Sequence, residues 1–128
     1  MAVYSYDHIH LRSRDPMATA QYYNKMFDAR IIESIQSDGQ PRIDLDINGL
    51  TVFLARVPAD AEIPQAPADP HLGLDHFGLR VDNLDAAYAE LKRRGAEFAV
   101  EPRTIRPGVK IAFVRGPDNV RIELLERT

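Results

Sequence analysis

Cysteine and tryptophan are both absent from this 128-residue chain. Without thiols there is no disulfide, no thiolate zinc site and no cysteine nucleophile. Blocks of like charge are missing too: 16 basic residues stand against 19 acidic ones, for a formal charge of −3. That leaves no basic footprint for nucleic acid or for an anionic membrane surface. No apolar run approaches the ~20 residues a membrane span needs. The opening residues carry neither the basic nor the apolar stretch of a secretory signal. These absences point to a cytoplasmic protein with no nucleic-acid and no membrane partner. What is present, 45% hydrophobic and 27% charged residues, is the balance of a globular chain. Its length suits one domain with a core of its own.

Alternation is the first positive signal. From Tyr6 to Arg12, Ile9 and Leu11 fall on one face and His8, His10 and Arg12 on the other, the period of a strand. Asp15-Pro16 then has the chemistry of a helix start, an N-cap followed by a proline at the first helical position. Ala18, Tyr22 and Met26 recur on one face of that helix, which closes at Phe27. Ala29–Ser37, Pro41–Ile47 and Leu50–Arg56 read as strands, joined by turns at Asp38-Gly39 and Asn48-Gly49. In 57–72, Pro58, Pro64, Pro67 and Pro70 exclude helix and central strand, so this stretch reads as a linker or long surface loop. A strand at Leu74–Val81 follows, then a helix capped by Asn83 and stopped by Gly95. Further strands are predicted at Glu97–Glu101, Val109–Arg115 and Asn119–Glu126. Each half is thus β-α-β-β-β, an α+β arrangement.

The halves also match in residues. Asp7-His8-Ile9-His10-Leu11-Arg12 lies over Asp75-His76-Phe77-Gly78-Leu79-Arg80, with Asp, His, Leu and Arg identical, which points to an internal repeat. With these paired openings and the closing strand Gly116-Pro117-Asp118-Asn119-Val120-Arg121-Ile122-Glu123-Leu124-Leu125-Glu126, the whole chain resembles the vicinal oxygen chelate superfamily, also called the glyoxalase, bleomycin-resistance and dioxygenase family. The second half, through Arg106-Pro107-Gly108-Val109-Lys110-Ile111-Ala112-Phe113, looks most like its methylmalonyl-CoA epimerase branch. The resemblance implies one domain made of βαβββ modules 1–56 and 73–128. Their eight strands would curl into an incomplete barrel around a metal, commonly in a homodimer.

By position, the resemblance carries the metal ligands onto His8, His76 and Glu123. Two imidazoles and a carboxylate suit Zn, Ni, Co, Mn or Fe(II) and leave coordination positions open for a substrate with two neighbouring oxygens. Glyoxalase I and the epimerase carry a fourth ligand on the strand closing the first module. Here that position is Phe53, which cannot ligate and reads as a wall of the substrate cavity. His10 shares the face of His8 and is a candidate acid or base, or equally a rim residue. Asp44 and Asp46 make one face of their strand acidic. Asp44 could be a proton-abstracting base if that face lines a cavity, and an ordinary surface acid if it does not. Arg12 and Arg80 match across the repeat and are candidates for an anionic substrate group, although strand-end arginines are often only solvated. Tyr22, Tyr23 and Tyr88 read as packing residues.

The reading that follows is a metal-dependent lyase or isomerase of the glyoxalase/epimerase kind. It would act on a small carbonyl substrate through a metal-stabilised enediolate or enolate, with Glu123 or Asp44 moving the proton. An Fe(II) extradiol-type dioxygenase fits three ligands equally. A metal-free drug-binding resistance protein is the third reading, and it has no need of the triad.

Overall fold

A computed structural model describes residues 2–68 and 70–128. Its elements run β1 (Ile9–Ser13), α1 (Pro16–Phe27), β2 (Arg30–Ile35), β3 (Pro41–Ile47), β4 (Leu50–Arg56), β5 (Phe77–Arg80), α2 (Leu84–Arg93), β6 (Glu97–Arg106), β7 (Val109–Arg115) and β8 (Arg121–Arg127). The strands form two four-stranded sheets in the orders β1-β4-β3-β2 and β5-β8-β7-β6. In each, the opening strand lies parallel to the closing one and the other pairs are antiparallel. The expected α+β pair of βαβββ modules is therefore observed, with both sheets open. The chain divides into two compact units, one running to Glu62 and the other spanning Ile63–Thr128. Among the described residues no helix is long and apolar enough to cross a membrane.

Local chemistry accounts for the element ends. The Asp15 carboxylate accepts from the Ala18 N–H at 3.1 Å, and the Asn83 side chain accepts from the Ala86 N–H at 3.0 Å. Each cap satisfies a donor that the first helical turn leaves unpaired. Asn48 and Gly49 both have positive φ, +47° and +99°, as the tight hairpin between β3 and β4 requires.

Strand parity then separates two faces. In the first unit Ile43, Leu45, Ile47, Val52 and Leu54 are buried, and α1 packs on this sheet through Ala20, Tyr23 and Met26. In the second unit Ala112, Val114, Ile122 and Leu124 are buried, and α2 contributes Leu84 and Leu91. Fully burying a Leu or Ile stabilises a fold by ~1.5–3 kcal/mol, so these faces hold each unit together. The opposite faces carry Arg42, Asp44 and Phe53 in the first sheet and Arg121 and Glu123 in the second.

Several boundaries differ from the expectation. The buried face of α1 is Pro16, Thr19, Ala20, Tyr23 and Met26, while Ala18 is exposed and Tyr22 only half-buried. Thr19 goes inside because its hydroxyl lies 2.6 Å from the Ser13 hydroxyl on β1, so each satisfies the other. β1 begins at Ile9 and β5 at Phe77, which leaves His8 and His76 just ahead of their strands. Both are sheet-edge strands with ladder partners on one side only. β2 is shorter than expected at both ends, and β8 starts at Arg121 because Pro117–Asn119 form a single 3-10 turn. β6 runs on past Pro102 to Arg106, tolerated because it is an edge strand interrupted by register shifts.

Candidate functional site

The repeat histidines share one local arrangement. His8 Nδ1 lies 2.6 Å from Asp7 Oδ2, and His76 Nδ1 lies 2.7 Å from Asp75 Oδ2. A carboxylate only accepts, so Nδ1 carries the proton and Nε2 keeps its lone pair. That is the tautomer a metal-ligating imidazole needs, and such a carboxylate partner also fixes the orientation of the ring.

In the second unit His76 Nε2 stands 3.8 Å from Glu123 Oε2, and the Glu123 side chain is only 17% exposed. The two belong to different elements, Glu123 being carried into β8 between the buried Ile122 and Leu124. Asp75, behind His76, is also bonded by Arg121 Nη1. The hydrogen bond from His76, and then the Arg121 charge, hold the Asp75 carboxyl below its ordinary value against an opposing desolvation effect. Arg121 in turn lies over the Phe113 ring, 4.1 Å from its centre, and Phe113 meets His76 edge-on. Gly78 pairs with Glu123 across the ladder, and a Cβ there would stand 3.5 Å from Glu123 Oε1. The missing side chain keeps that carboxylate oxygen beside open space.

The first unit places different residues at the corresponding positions. His10 pairs with Phe53 as Gly78 pairs with Glu123, so Phe53 does occupy the repeat position of the second-module carboxylate. Its ring stacks on His8 with centres 4.1 Å apart, and His10 meets it edge-on. Asp44, opposite Phe53 on β3, accepts from Arg42 Nε at 2.8 Å through Oδ2. Asp44 Oδ1 is enclosed and has no hydrogen-bond partner among the described residues. These side chains line a cleft of about 610 Å³ in this unit.

Of the residues singled out in the sequence, His8, His10, Asp44 and Phe53 are thus gathered at one cleft, and His76 and Glu123 meet in the other unit. Arg12 is exposed and does not line the cleft. Arg80 is also exposed and donates to the Arg127 carbonyl at 3.3 Å, at the end of its strand. Asp46 shares the face of Asp44 but lies outside the cleft, 3.4 Å from Arg30 and accepting from the Gly49 N–H at 2.7 Å. Arg42 was not anticipated. Its sequence signal is the two-residue spacing Arg42-Ile43-Asp44, which by strand parity puts both charged side chains on the cleft side.

A family model for the Glyoxalase/Bleomycin resistance protein/Dioxygenase superfamily matches residues 5–124. The chain belongs to that superfamily. Over 56 residues it is 38% identical to the Probable lactoylglutathione lyase, chloroplastic, of Arabidopsis thaliana. That stretch is 43% of this chain and 16% of the plant protein, so the chain spans a small part of its relative. A glyoxylase/bleomycin resistance protein/dioxygenase domain from Frankia sp. EAN1pec superposes with a TM-score of 0.77 at 20% identity, covering 99% of this chain and 100% of that one. The glyoxalase family protein of Enterococcus faecalis gives 0.72 at 23% identity, over 95% and 97%. The fosfomycin resistance protein FosX of Mesorhizobium loti gives 0.69 at 19%, over 99% and 94%. At these identities the three structures establish a shared fold.

Members of this superfamily are commonly metal-dependent. Among the described residues no three His, Cys, Asp or Glu side chains are gathered into a cage. The donor chemistry nevertheless suits a divalent ion. Ligands each about 2.0–2.2 Å from one ion lie ~3–4 Å apart, which the 3.8 Å separation of His76 and Glu123 meets.

Proposed function

We propose that this glyoxalase-superfamily chain is a metal-dependent lyase or isomerase acting on a small carbonyl compound with two neighbouring oxygens. His8, His76 and Glu123 are the proposed ligands of the divalent ion. The observation that carries the reading is the His76–Glu123 pair, with the imidazole proton held on Nδ1 by Asp75. A bound ion supplies Lewis acidity to the substrate carbonyl. The chain's own residues supply the rest. Asp7 and Asp75 keep each Nε2 free to bind. Glu123 Oε1, beside the space at Gly78, is the group proposed to take and return the proton on the carbon next to that carbonyl. The arrangement of Asp44 supports a supporting role there rather than an open base, since one oxygen holds Arg42 and the other is enclosed. His10 is proposed to border the substrate. The resemblance also supports a homodimer, which sedimentation equilibrium would read directly.

A second reading has its own observation. Phe53, in the place of a fourth ligand, leaves the coordination number that an Fe(II) ring-cleaving dioxygenase needs. The two readings separate experimentally. A panel of 2-oxoaldehyde thiol adducts, acyl thioesters and catechols is incubated with metal-loaded protein in deuterated water. Solvent exchange at the α-carbon with no oxygen uptake supports the lyase or isomerase. Oxygen uptake stoichiometric with catechol loss overturns it in favour of the dioxygenase.

A further inference from the structure

Arg42 lines the first-unit cleft and is not used by the proposed metal chemistry. Its guanidinium is fixed twice: Cζ lies 4.6 Å from the centre of the Phe53 ring, and Nε donates to Asp44 Oδ2 at 2.8 Å. Those contacts set the plane and the direction of the fork. Among the described residues Nη1 and Nη2 have no hydrogen-bond partner. Among the described residues Asp44 is the one carboxylate lining the cleft, and Arg42 already engages it. Arg56 also lines the cleft and has no acidic partner among the described residues. An oriented guanidinium with two free donor nitrogens, in a cleft with cationic excess, is a binding site for a planar two-oxygen anion.

We infer that the cleft binds the carboxylate of a small organic acid through the Nη atoms of Arg42, so that the substrate of this chain carries a free carboxylate besides its carbonyl. A phosphate is less well matched. The helix end at this cleft is that of α1, where Pro16 has no N–H and Asp15 already caps Ala18. With the Thr19 N–H donating to the Asp15 carbonyl at 3.1 Å, the first turn leaves at most the Met17 N–H, fewer backbone donors than phosphate sites use. Gln36 and Gln40, at the same cleft, add neutral amides rather than further cations. Asp44 then acts as a positioning residue, holding the fork rather than touching the ligand.

The inference rests on the proposed function for the carbonyl, but binding of the acid is tested without metal. The full chain, stripped with a chelator, is titrated with phenylpyruvate, with its methyl ester and with phenyl phosphate, by calorimetry. The acid should bind at least about tenfold more tightly than the ester, as loss of a charge-assisted pair implies. Arg42→Gln should remove that preference and Arg42→Lys restore only part of it, because an ammonium cannot fork. Asp44→Asn should weaken the acid by a smaller factor while leaving the ester unchanged. Equal affinity for acid and ester, no binding of either, tighter binding of phenyl phosphate, or an unchanged preference in Arg42→Gln overturns the inference. If Arg42→Gln does not fold, the acid-against-ester comparison on the native chain still decides. Metal titration of the same samples reads His76 and Glu123 separately, so failure of the carboxylate site and failure of the metal reading remain distinguishable.

Discussion

Phe53 and Glu123 hold the same register position in the two sheets and have opposite surroundings. Glu123 faces a glycine, Gly78, and the imidazole of His76, whereas Phe53 faces His10 and is sandwiched into contacts with His8 and Arg42. The duplicated scaffold therefore presents a carboxylate in one unit and a hydrophobic ring in the other.

Glu123→Gln should lose much of the divalent-metal affinity, because a neutral amide oxygen is a far weaker ligand than a carboxylate. The fold should survive, since the change is isosteric on a partly exposed side chain. Competition with a chromogenic chelator measures the loss. Unchanged affinity would place the carboxylate ligand elsewhere.

Replacing Asp75 by Asn tests the tautomer argument. An amide can donate as well as accept, so the imidazole proton bonded at 2.7 Å is no longer confined to Nδ1, and metal affinity should fall by ~10–100-fold. Asp7→Asn should act similarly through His8. An NMR measurement of the ring-nitrogen tautomer in each variant provides a readout that a purely structural role would not move.

Phe53→Glu alone should gain little metal affinity, because Arg42 stands over that position and would pair with the new carboxylate. The double variant Phe53→Glu/Arg42→Gln should bind metal more tightly than Phe53→Glu. The same chelator competition compares them, and equal affinities would show that Arg42 exerts no such hold.

Core and surface changes should separate cleanly in stability. Leu124→Ala, at a side chain 1% exposed, should cost ~2–5 kcal/mol by denaturant titration. Asn83→Ala, which removes the α2 cap, should cost ~1 kcal/mol. Arg12→Ala, on an exposed strand face, should stay within ~0.5 kcal/mol.

Glu90 on α2 provides a pH test. Its hydrogen bonds from Arg93 and then Arg94 hold the carboxyl below its ordinary value. A depressed folded value means the stabilisation is present above the unfolded pKa, ~4.3, and is lost as pH falls through the lower folded one. The Tm difference between the native chain and Glu90→Gln should therefore be constant near neutrality and vanish in acid. A difference that persists at low pH would show that the ion pairs do not produce it.

Much of this was legible because period and punctuation coincide. The β3–Asn48-Gly49–β4 hairpin, both helix caps and the Asp-His repeat were all readable from residue type and spacing. What was not legible depended on tertiary partners. The inward turn of Thr19 follows from a hydroxyl on β1, and β6 continues past Pro102 because its outer edge has no neighbour to lose. The Arg42 fork needed the register of β3 against β4, which fixes Asp44 opposite Phe53 and brings a guanidinium over that ring.

Neighbouring residues in β3, β4 and β8 answer to different masters. Leu45, Val52 and Leu124 serve cohesion, while Asp44, Phe53 and Glu123, one step along the same strands, face the open side. At positions such as Asp44, Phe53 and Glu123 a strand can therefore change its chemistry while its buried neighbours keep the sheet together. Two units built in this way can share one scaffold and still differ in chemistry, as one sheet displays a carboxylate and the other an aromatic ring at the same register position.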